Sequence, residues 1–287
     1  MDRAVLKSPA KINLGLSVGA RRTDGFHDLV TIIVPLDFGD AVMLRRTSSG
    51  ITVNADSARV PSGPKNLAHR AAAAFFEKTS IKAGCRIDIR KRIPVGGGLG
   101  GGSANAATTL MGLNRLFGRP LSPAALHKIG SALGSDVPAF LFGGPCVARG
   151  RGERVRRISL PRLTVLLYLP RHQVSTAWAY AELDRRRASD RDLTPSTLSP
   201  RLLGLYLRHN ELNKAAALVR NDFEPVVFGR FPTLARARDV MLNHGAYAAC
   251  LSGSGSTVYG LVTTQRWKDP MAALARRGFH CVKTTSL

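Results

Sequence analysis

Apolar and polar residues alternate along Arg86-Ile-Asp-Ile-Arg-Lys-Arg-Ile93, the period of a strand with one buried face. The same period puts Ile12, Leu14, Leu16 and Val18 on one side of a strand and Lys11, Asn13 and Ser17 on the other. Further strands are predicted over 29–35, 40–46 and 163–169, the last ended by Pro170. Residues 247–262 read as strand, glycine turn, strand, 143–157 as a hairpin, and 281–284 as a final strand. Helical composition predicts helices over 66–77, 103–116, 122–133, 174–183, 201–207, 211–219, 233–243 and 267–276. Asn66, Ser122 and either Ser175 or Thr176 stand where N-caps belong, and Pro123 suits a first helical turn. The polar stretch 185–200 is predicted to be a loop. Strands and helices are mixed without strict alternation, so the expected class is α+β.

Pro94-Val-Gly-Gly-Gly-Leu-Gly-Gly-Gly-Ser-Ala-Asn-Ala-Ala107 joins the strand at 86–93 to the helix at 103–116. Its glycines are Gly96, Gly97, Gly98, Gly100, Gly101 and Gly102. A glycine loop between a strand and a helix start presents bare backbone N–H groups and the positive end of the helix dipole, a receptor for phosphate. A Walker A loop would need Gly-Lys before Ser or Thr, and here Gly102 precedes Ser103 directly. Gly96, Gly98 and Gly101 match a dinucleotide fingerprint on paper, but that motif carries an acid about 20 positions on. No Asp or Glu falls between Gly101 and Asp136. A flexible linker fits poorly, since the flanks lack Ser/Pro-rich composition.

Composition adds bounds. The chain has 287 residues, enough for one large or two moderate domains, and 44% of them are hydrophobic against 21% charged. No apolar run approaches the ~18 residues of a membrane span, and the first residues lack a signal-peptide core, so no membrane partner and a cytoplasmic location are expected. The formal net charge of +23 attracts anions generally, and arginines cluster at 185–187 and at Arg149, Arg151, Arg154, Arg156 and Arg157. No aromatic-and-basic recognition motif accompanies them, so nucleic acid is not the expected partner. Cys85, Cys146, Cys250 and Cys281 are scattered and read as reduced buried thiols. The histidines show no metal-ligand spacing.

The loop resembles the phosphate-binding loop of the GHMP kinases, the superfamily of galactokinase, homoserine kinase and mevalonate kinase. Three further stretches carry the resemblance in order: Pro9-Ala-Lys-Ile-Asn13 followed by Asp24-Gly-Phe-His27; Gly134-Ser-Asp-Val-Pro138; and Gly253-Ser-Gly-Ser256. The resemblance implies a two-lobed fold with nucleotide and acceptor sites in the cleft between lobes, an N-terminal lobe over 1–159 and a C-terminal lobe over 160–287. It implies ATP held by Pro94, Gly96, Gly97, Gly98, Leu99, Gly100, Gly101, Gly102, Ser103 and Asn105, with Asn66 and Lys91 near the nucleotide. Mg²⁺ would accompany ATP, resting on phosphates, Ser103 and waters, and no protein ligand set is assigned. Asp136 is the implied catalytic carboxylate with Lys11 beside it.

The particular form of the loop resembles that of members that phosphorylate a cytidine-diphosphate-linked polyol, and the resemblance implies such an acceptor here. Asn13, Phe26, His27, Asp136, Thr176 and Tyr180 are then the acceptor residues, with His27 on a cytosine edge and Phe26 and Tyr180 stacking on the ring. The family more usually has tyrosine where Phe26 stands, so a phenol hydroxyl is lost. From the residues alone, several of these positions have plainer readings: Asn66 and Asp136 as caps, Lys11 and Asn13 as a solvated face, Thr176 and Tyr180 as a cap and a packed ring. A different acceptor within the superfamily and a basic nucleic-acid binder remain as rival functions. A monomer or weak homodimer is expected.

Overall fold

The computed structural model describes residues 2–190 and 194–287. Among these the strands are β1 (Arg3–Arg21), β2 (His27–Thr47), β3 (Ile51–Ala55), β4 (Gly84–Arg90), β5 (Cys146–Gly150), β6 (Arg154–Arg157), β7 (Thr164–Tyr168), β8 (Ala248–Leu251), β9 (Val258–Val262) and β10 (Cys281–Thr285). The helices are α1 (Leu67–Thr79), α2 (Gly101–Leu116), α3 (Pro123–Leu133), α4 (Val137–Phe142), α5 (Thr176–Ser189), α6 (Pro200–Arg208), α7 (Leu212–Leu218), α8 (Glu224–Arg230), α9 (Pro232–Asn243) and α10 (Lys268–Ala275). The chain gathers into two compact units that interleave in sequence. One is Met1–Ala10, Phe38–Val95 and Gly100–Gly144; the other is Lys11–Asp37, Gly96–Leu99 and Pro145–Leu287. The expected division at 159/160 is a single cut, whereas the contacts divide the chain by segments.

In the first unit, β3 pairs parallel with β4, Ile51 opposite Cys85, and β4 pairs antiparallel with the end of β2, Ala41 opposite Arg90. Helices α1, α2, α3 and α4 pack together around Val42, Leu44, Phe75, Ile87, Leu110, Leu113 and Phe140. Each such side chain contributes roughly 1.5–3 kcal/mol when fully buried. Small residues let α2 come close: a Cβ on Gly112 would lie 2.3 Å from Leu44 Cδ1.

In the second unit, an antiparallel sheet runs β10-β7-β9-β8, with Leu166 opposite Gly260 and Cys250 opposite Tyr259. Its core includes Leu166, Phe223, Val226, Leu234, Met241 and Leu251. The start of β2 pairs with β5, and β5 with β6, as the predicted hairpin.

The structure departs from the sequence prediction in four places. Residues 29–35 and 40–46 form one strand, because Gly39 is no break: a Cβ there would lie 2.3 Å from the Ser8 carbonyl, so it serves a close strand approach. Strand β3 and helix α8 were not predicted; both are short and depend on packing more than on pattern. Residues 137–142 form a short helix where none was predicted. Helix α5 continues to Ser189, so Arg185, Arg186 and Arg187 are not loop residues. Glu182 explains this. Hydrogen bonds from Arg185, at 2.7 and 2.9 Å, and then from Arg186 pull its carboxyl down to about 2. Arg187 reaches Asp222 at 2.9 Å. Residues 191–193 of the predicted loop lie outside the described residues; 194–199 lack regular structure, and Ser199 caps α6.

Candidate active site

The glycine loop lies where predicted, between β4 and α2. Gly96, Gly98 and Gly100 have φ of 73°, 76° and 70°, left-handed angles that glycine adopts without a Cβ penalty. Three successive carbonyls are taken by the protein: Gly97 O accepts from Thr257 N at 3.1 Å, Gly98 O from Ser252 Oγ at 3.0 Å, and Leu99 O from Lys11 N at 3.0 Å. The amides of Gly96, Gly97, Gly98 and Leu99 donate to no carbonyl among the described residues. A loop with its acceptors used and its donors spare is polarised to receive an anion. The Gly253–Ser256 motif packs on it directly: a Cβ on Gly98 would lie 2.8 Å from the Gly255 carbonyl, and 2.1 Å from that of Ser252 just before the motif. Beyond the loop, α2 starts at Gly101 with Gly100 as its left-handed N-cap and no side-chain cap, so its first amides remain available.

Within the first unit, Ser103 sits on the opening turn of α2. Its Oγ lies 4.0 Å from where a Cβ on Gly134 would stand, two positions before Asp136. Asp136 is the half-buried N-cap of α4, a helix packed on α2, yet its side chain makes no capping hydrogen bond. The capping explanation for this carboxylate therefore fails. Asn66 is a true cap: its Oδ1 accepts from Ala68 N at 2.8 Å and its Nδ2 donates to the Pro61 carbonyl at 2.8 Å. Asn105 is 3% exposed, and its Oδ1 accepts from Ser8 Oγ at 2.7 Å, tying α2 to β1. Lys91 is bound to a residue that the sequence did not single out. Its ammonium pairs with fully buried Asp40, whose other oxygen accepts from Arg92 N at 2.7 Å and Ile93 N at 2.8 Å. A Cβ on Gly101 would lie 3.1 Å from Lys91 Nζ, so this cation stands at the positive end of α2. Beside it opens a cavity of about 360 Å³ lined by Asp56, Ser57, Arg59, Lys91, Arg92 and Pro94 among others.

Within the second unit, Lys11 and Asn13 are both 4% exposed, so they form no solvated face. Lys11 Nζ donates to Asn13 Oδ1 at 2.5 Å, Asn13 Nδ2 to Thr31 Oγ1 at 2.9 Å, and Thr31 Oγ1 to the Gly15 carbonyl at 2.7 Å. Tyr259 fixes the Asn13 carbonyl at 3.0 Å. A Cβ on Gly253 would lie 3.4 Å from Lys11 Nζ, which brings Lys11 to the motif that supports the loop. Thr176 is not the α5 cap; Ser175 is, and Thr176 Oγ1 meets Ser254 Oγ of the same motif at 2.8 Å.

Phe26 is 49% exposed and lies under the Arg151 guanidinium, 4.5 Å from its ring centroid. Tyr180 does not offer a free ring on both faces. His27 stacks on it with centroids 4.8 Å apart, and Phe223 meets it edge-on at 4.8 Å. His27 Nε2 lies 2.8 Å from Asp184 Oδ1. Asp184 lies just past the predicted helix end at 183. One more turn would have put Thr176, Tyr180 and Asp184 on one face, at intervals of four.

Family models for the GHMP kinase N-terminal domain and the GHMP kinase C-terminal domain match residues 66–144 and 205–276. A 4-diphosphocytidyl-2-C-methyl-D-erythritol kinase from Geobacter sp. (strain M21) is 42% identical over 263 residues, 91% of this chain and 90% of the relative. The chain belongs to the 4-diphosphocytidyl-2-C-methyl-D-erythritol kinases, within the GHMP kinase family. It is thus a small-molecule kinase with the α+β GHMP kinase fold. A family member from Citrifermentans bemidjiense is 42% identical over 267 residues, 92% of this chain and 91% of the relative. A crystal structure of a 4-(cytidine 5'-diphospho)-2C-methyl-D-erythritol kinase superposes with a TM-score of 0.84 at 32% identity, covering 99% of each chain. A homoserine kinase from Cytophaga hutchinsonii, 18% identical with a TM-score of 0.71 over 100% of this chain and 95% of that one, shares the fold. No helix among the described residues is long and apolar enough to cross a membrane.

Proposed function

We propose that this kinase transfers the γ-phosphoryl group of ATP to the 2-hydroxyl of 4-diphosphocytidyl-2-C-methyl-D-erythritol, giving ADP and the 2-phosphate, in the non-mevalonate route to isoprenoid precursors. The observation that carries this reading is identity of 42% to curated enzymes of that name across nine-tenths of both chains. The enzyme would work in the cytoplasm, as a monomer or weak homodimer.

In this reading the spare amides of the glycine loop and the first turn of α2 receive the ATP phosphates. Phosphoryl transfer asks mainly for positioning and for charge stabilisation at the equatorial oxygens, which backbone donors supply without reorganising. Mg²⁺ would arrive with ATP and neutralise charge on its phosphates. The Ser103 hydroxyl, a hard oxygen donor at the helix start, suits an ion that takes few protein ligands. Asp136 takes the proton of the acceptor hydroxyl, and Lys11 presents its ammonium to the reacting oxygens. Lys91 acts through charge at the start of α2, with Asp40 holding it. Asn66 and Asn105 keep the nucleotide-side helices in place through their caps and ties. Asn13, Thr176, Phe26, His27 and Tyr180 serve the acceptor, with Phe26 as the exposed stacking ring and Tyr180 backing His27.

The test is ATP consumption by the purified protein with four acceptors in parallel: the cytidine compound, homoserine, mevalonate and galactose. Turnover with the cytidine compound alone is expected; turnover with another acceptor and none with this one rejects the proposal. Asp136→Asn should reduce kcat by at least ~10²-fold and leave the affinity for ATP and acceptor largely intact. Equal loss of binding and turnover would assign Asp136 a structural role.

A further inference from the structure

His27 and Asp184 form a pair that phosphoryl transfer itself does not require. His27 opens β2 and is 7% exposed. Two contacts fix its ring. One face lies against Tyr180 at an interplanar angle of 26°, and Nε2 lies 2.8 Å from Asp184 Oδ1. Tyr180 is itself braced by Phe223, which is 1% exposed, so the stack is anchored in the core of its unit. Asp184 retains more solvent contact, with its side chain 34% exposed.

A carboxylate oxygen accepts hydrogen bonds and does not donate. In a neutral imidazole facing one, the proton therefore sits on Nε2, and Nδ1 keeps its lone pair. Among the described residues, Nε2 is the ring nitrogen of His27 with a hydrogen-bond partner, and Nδ1 is not one of the buried partnerless atoms. Nδ1 is thus an acceptor with a fixed orientation. Cytosine and uracil differ at C4, where cytosine carries an amino donor and uracil a carbonyl acceptor.

We propose that Asp184 is a positioning residue: by keeping the His27 proton on Nε2, it leaves Nδ1 to accept from the exocyclic amine of a cytosine, and so makes the acceptor site reject uridine-linked substrates. This rests on the reading above that His27 faces the base of the acceptor. A site built to pair with a polar group discriminates by leaving its own group unpaired when the wrong ligand binds, the strong form of selectivity. The carboxylate supplies that selectivity without touching the base.

The experiment compares kcat/KM for the cytidine-linked acceptor and its uridine-linked analogue in the wild-type enzyme, Asp184→Ala and Asp184→Asn. The wild type should favour the cytidine compound by about 10⁴-fold. Asp184→Ala should cut that ratio roughly tenfold through KM for the acceptor, with KM for ATP unchanged. Asp184→Asn keeps an oxygen acceptor at Nε2 and should retain the ratio within about threefold. Nitrogen-15 NMR of the unliganded wild-type enzyme should show His27 as the Nε2–H tautomer at pH 8, becoming a mixture in Asp184→Ala. An unchanged ratio in Asp184→Ala overturns the proposal, as does a loss in Asp184→Asn equal to that in Asp184→Ala. So does an Nδ1–H tautomer in the wild type, a result that needs no variant to fold. Absence of turnover by the wild type with either nucleotide acceptor would reject the proposed function instead.

Discussion

Asp40 and Asp184 each receive a nitrogen from a basic side chain, and their surroundings give them different work. Asp40 is fully buried and takes three donors: the Lys91 ammonium and the amides of Arg92 and Ile93. It holds the chain segment that leads from β4 into the glycine loop. Asp184 lies on a helix face, meets one donor from His27, and keeps a third of its side chain in solvent. A buried carboxylate that takes three donors fixes a backbone, whereas one with a single ring donor and solvent contact orients that ring. The count of donors and the depth of burial separate the structural ion pair of Asp40 from the recognition pair proposed for His27 and Asp184.

The sharpest way to break this comparison is Asp40→Ala. It strands a buried ammonium and two amides, and should cost ~3–5 kcal/mol of stability by urea unfolding. A loss below 1 kcal/mol would mean that Asp40 is no more structural than Asp184. Lys91→Met removes the charge and leaves Asp40 its two amide donors; a smaller loss of ~1–3 kcal/mol is expected, with a higher KM for ATP in steady-state kinetics.

Glu224 provides an intermediate case. Its Oε1 accepts from Leu251 N at 2.8 Å, but Arg238 stands 3.5 Å from its other oxygen. Burial raises its carboxyl above the ordinary value, outweighing Leu251 and Arg238. A raised carboxyl favours the fold fully below its unfolded pKa, and that contribution is lost as pH rises through the folded value. Glu224→Gln should therefore match the wild-type Tm near pH 4 and exceed it near pH 8. An equal difference at both pH values would show that ionisation is not the cause.

The smallest effect belongs to Asp88, on the exposed side of β4. Burial pushes its carboxyl up, but hydrogen bonds from Arg86 and Asn54 more than offset this and lower it overall. That stabilisation exists above the unfolded carboxylate pKa and fades as pH falls through the folded one. Arg86→Ala should cost under ~1 kcal/mol at pH 7, measured by the same unfolding assay, because solvent screens the pair.

Much of this was legible in the sequence, for identifiable reasons. The strand, glycine loop and helix around 94–107 were readable because glycine density, a polar-apolar period and an alanine-rich run are local signals. Ser122 as a cap and the hairpin near 143–157 were local as well. The partners of the site residues were not. Asp40 lies 51 positions from Lys91, Asp184 lies 157 from His27, and Ser254 lies 78 from Thr176. No period links such pairs. The extra turn of α5 was not legible because 185–200 is a polar, charged stretch, yet Glu182 pairs with Arg185 and Arg186, and Asp222 with Arg187, within the unit.

By itself the sequence determined which segments could be strand or helix, and that a glycine loop led into a helix start able to hold phosphate. Those properties follow from side-chain period and backbone freedom, which each short stretch carries alone. Tertiary structure decided which polar groups cap a helix or hold a backbone segment. That outcome depends on who meets whom across the chain: it capped α1 with Asn66 and left Asp136 without a capping bond, although the two residue types look equally suited to a helix start.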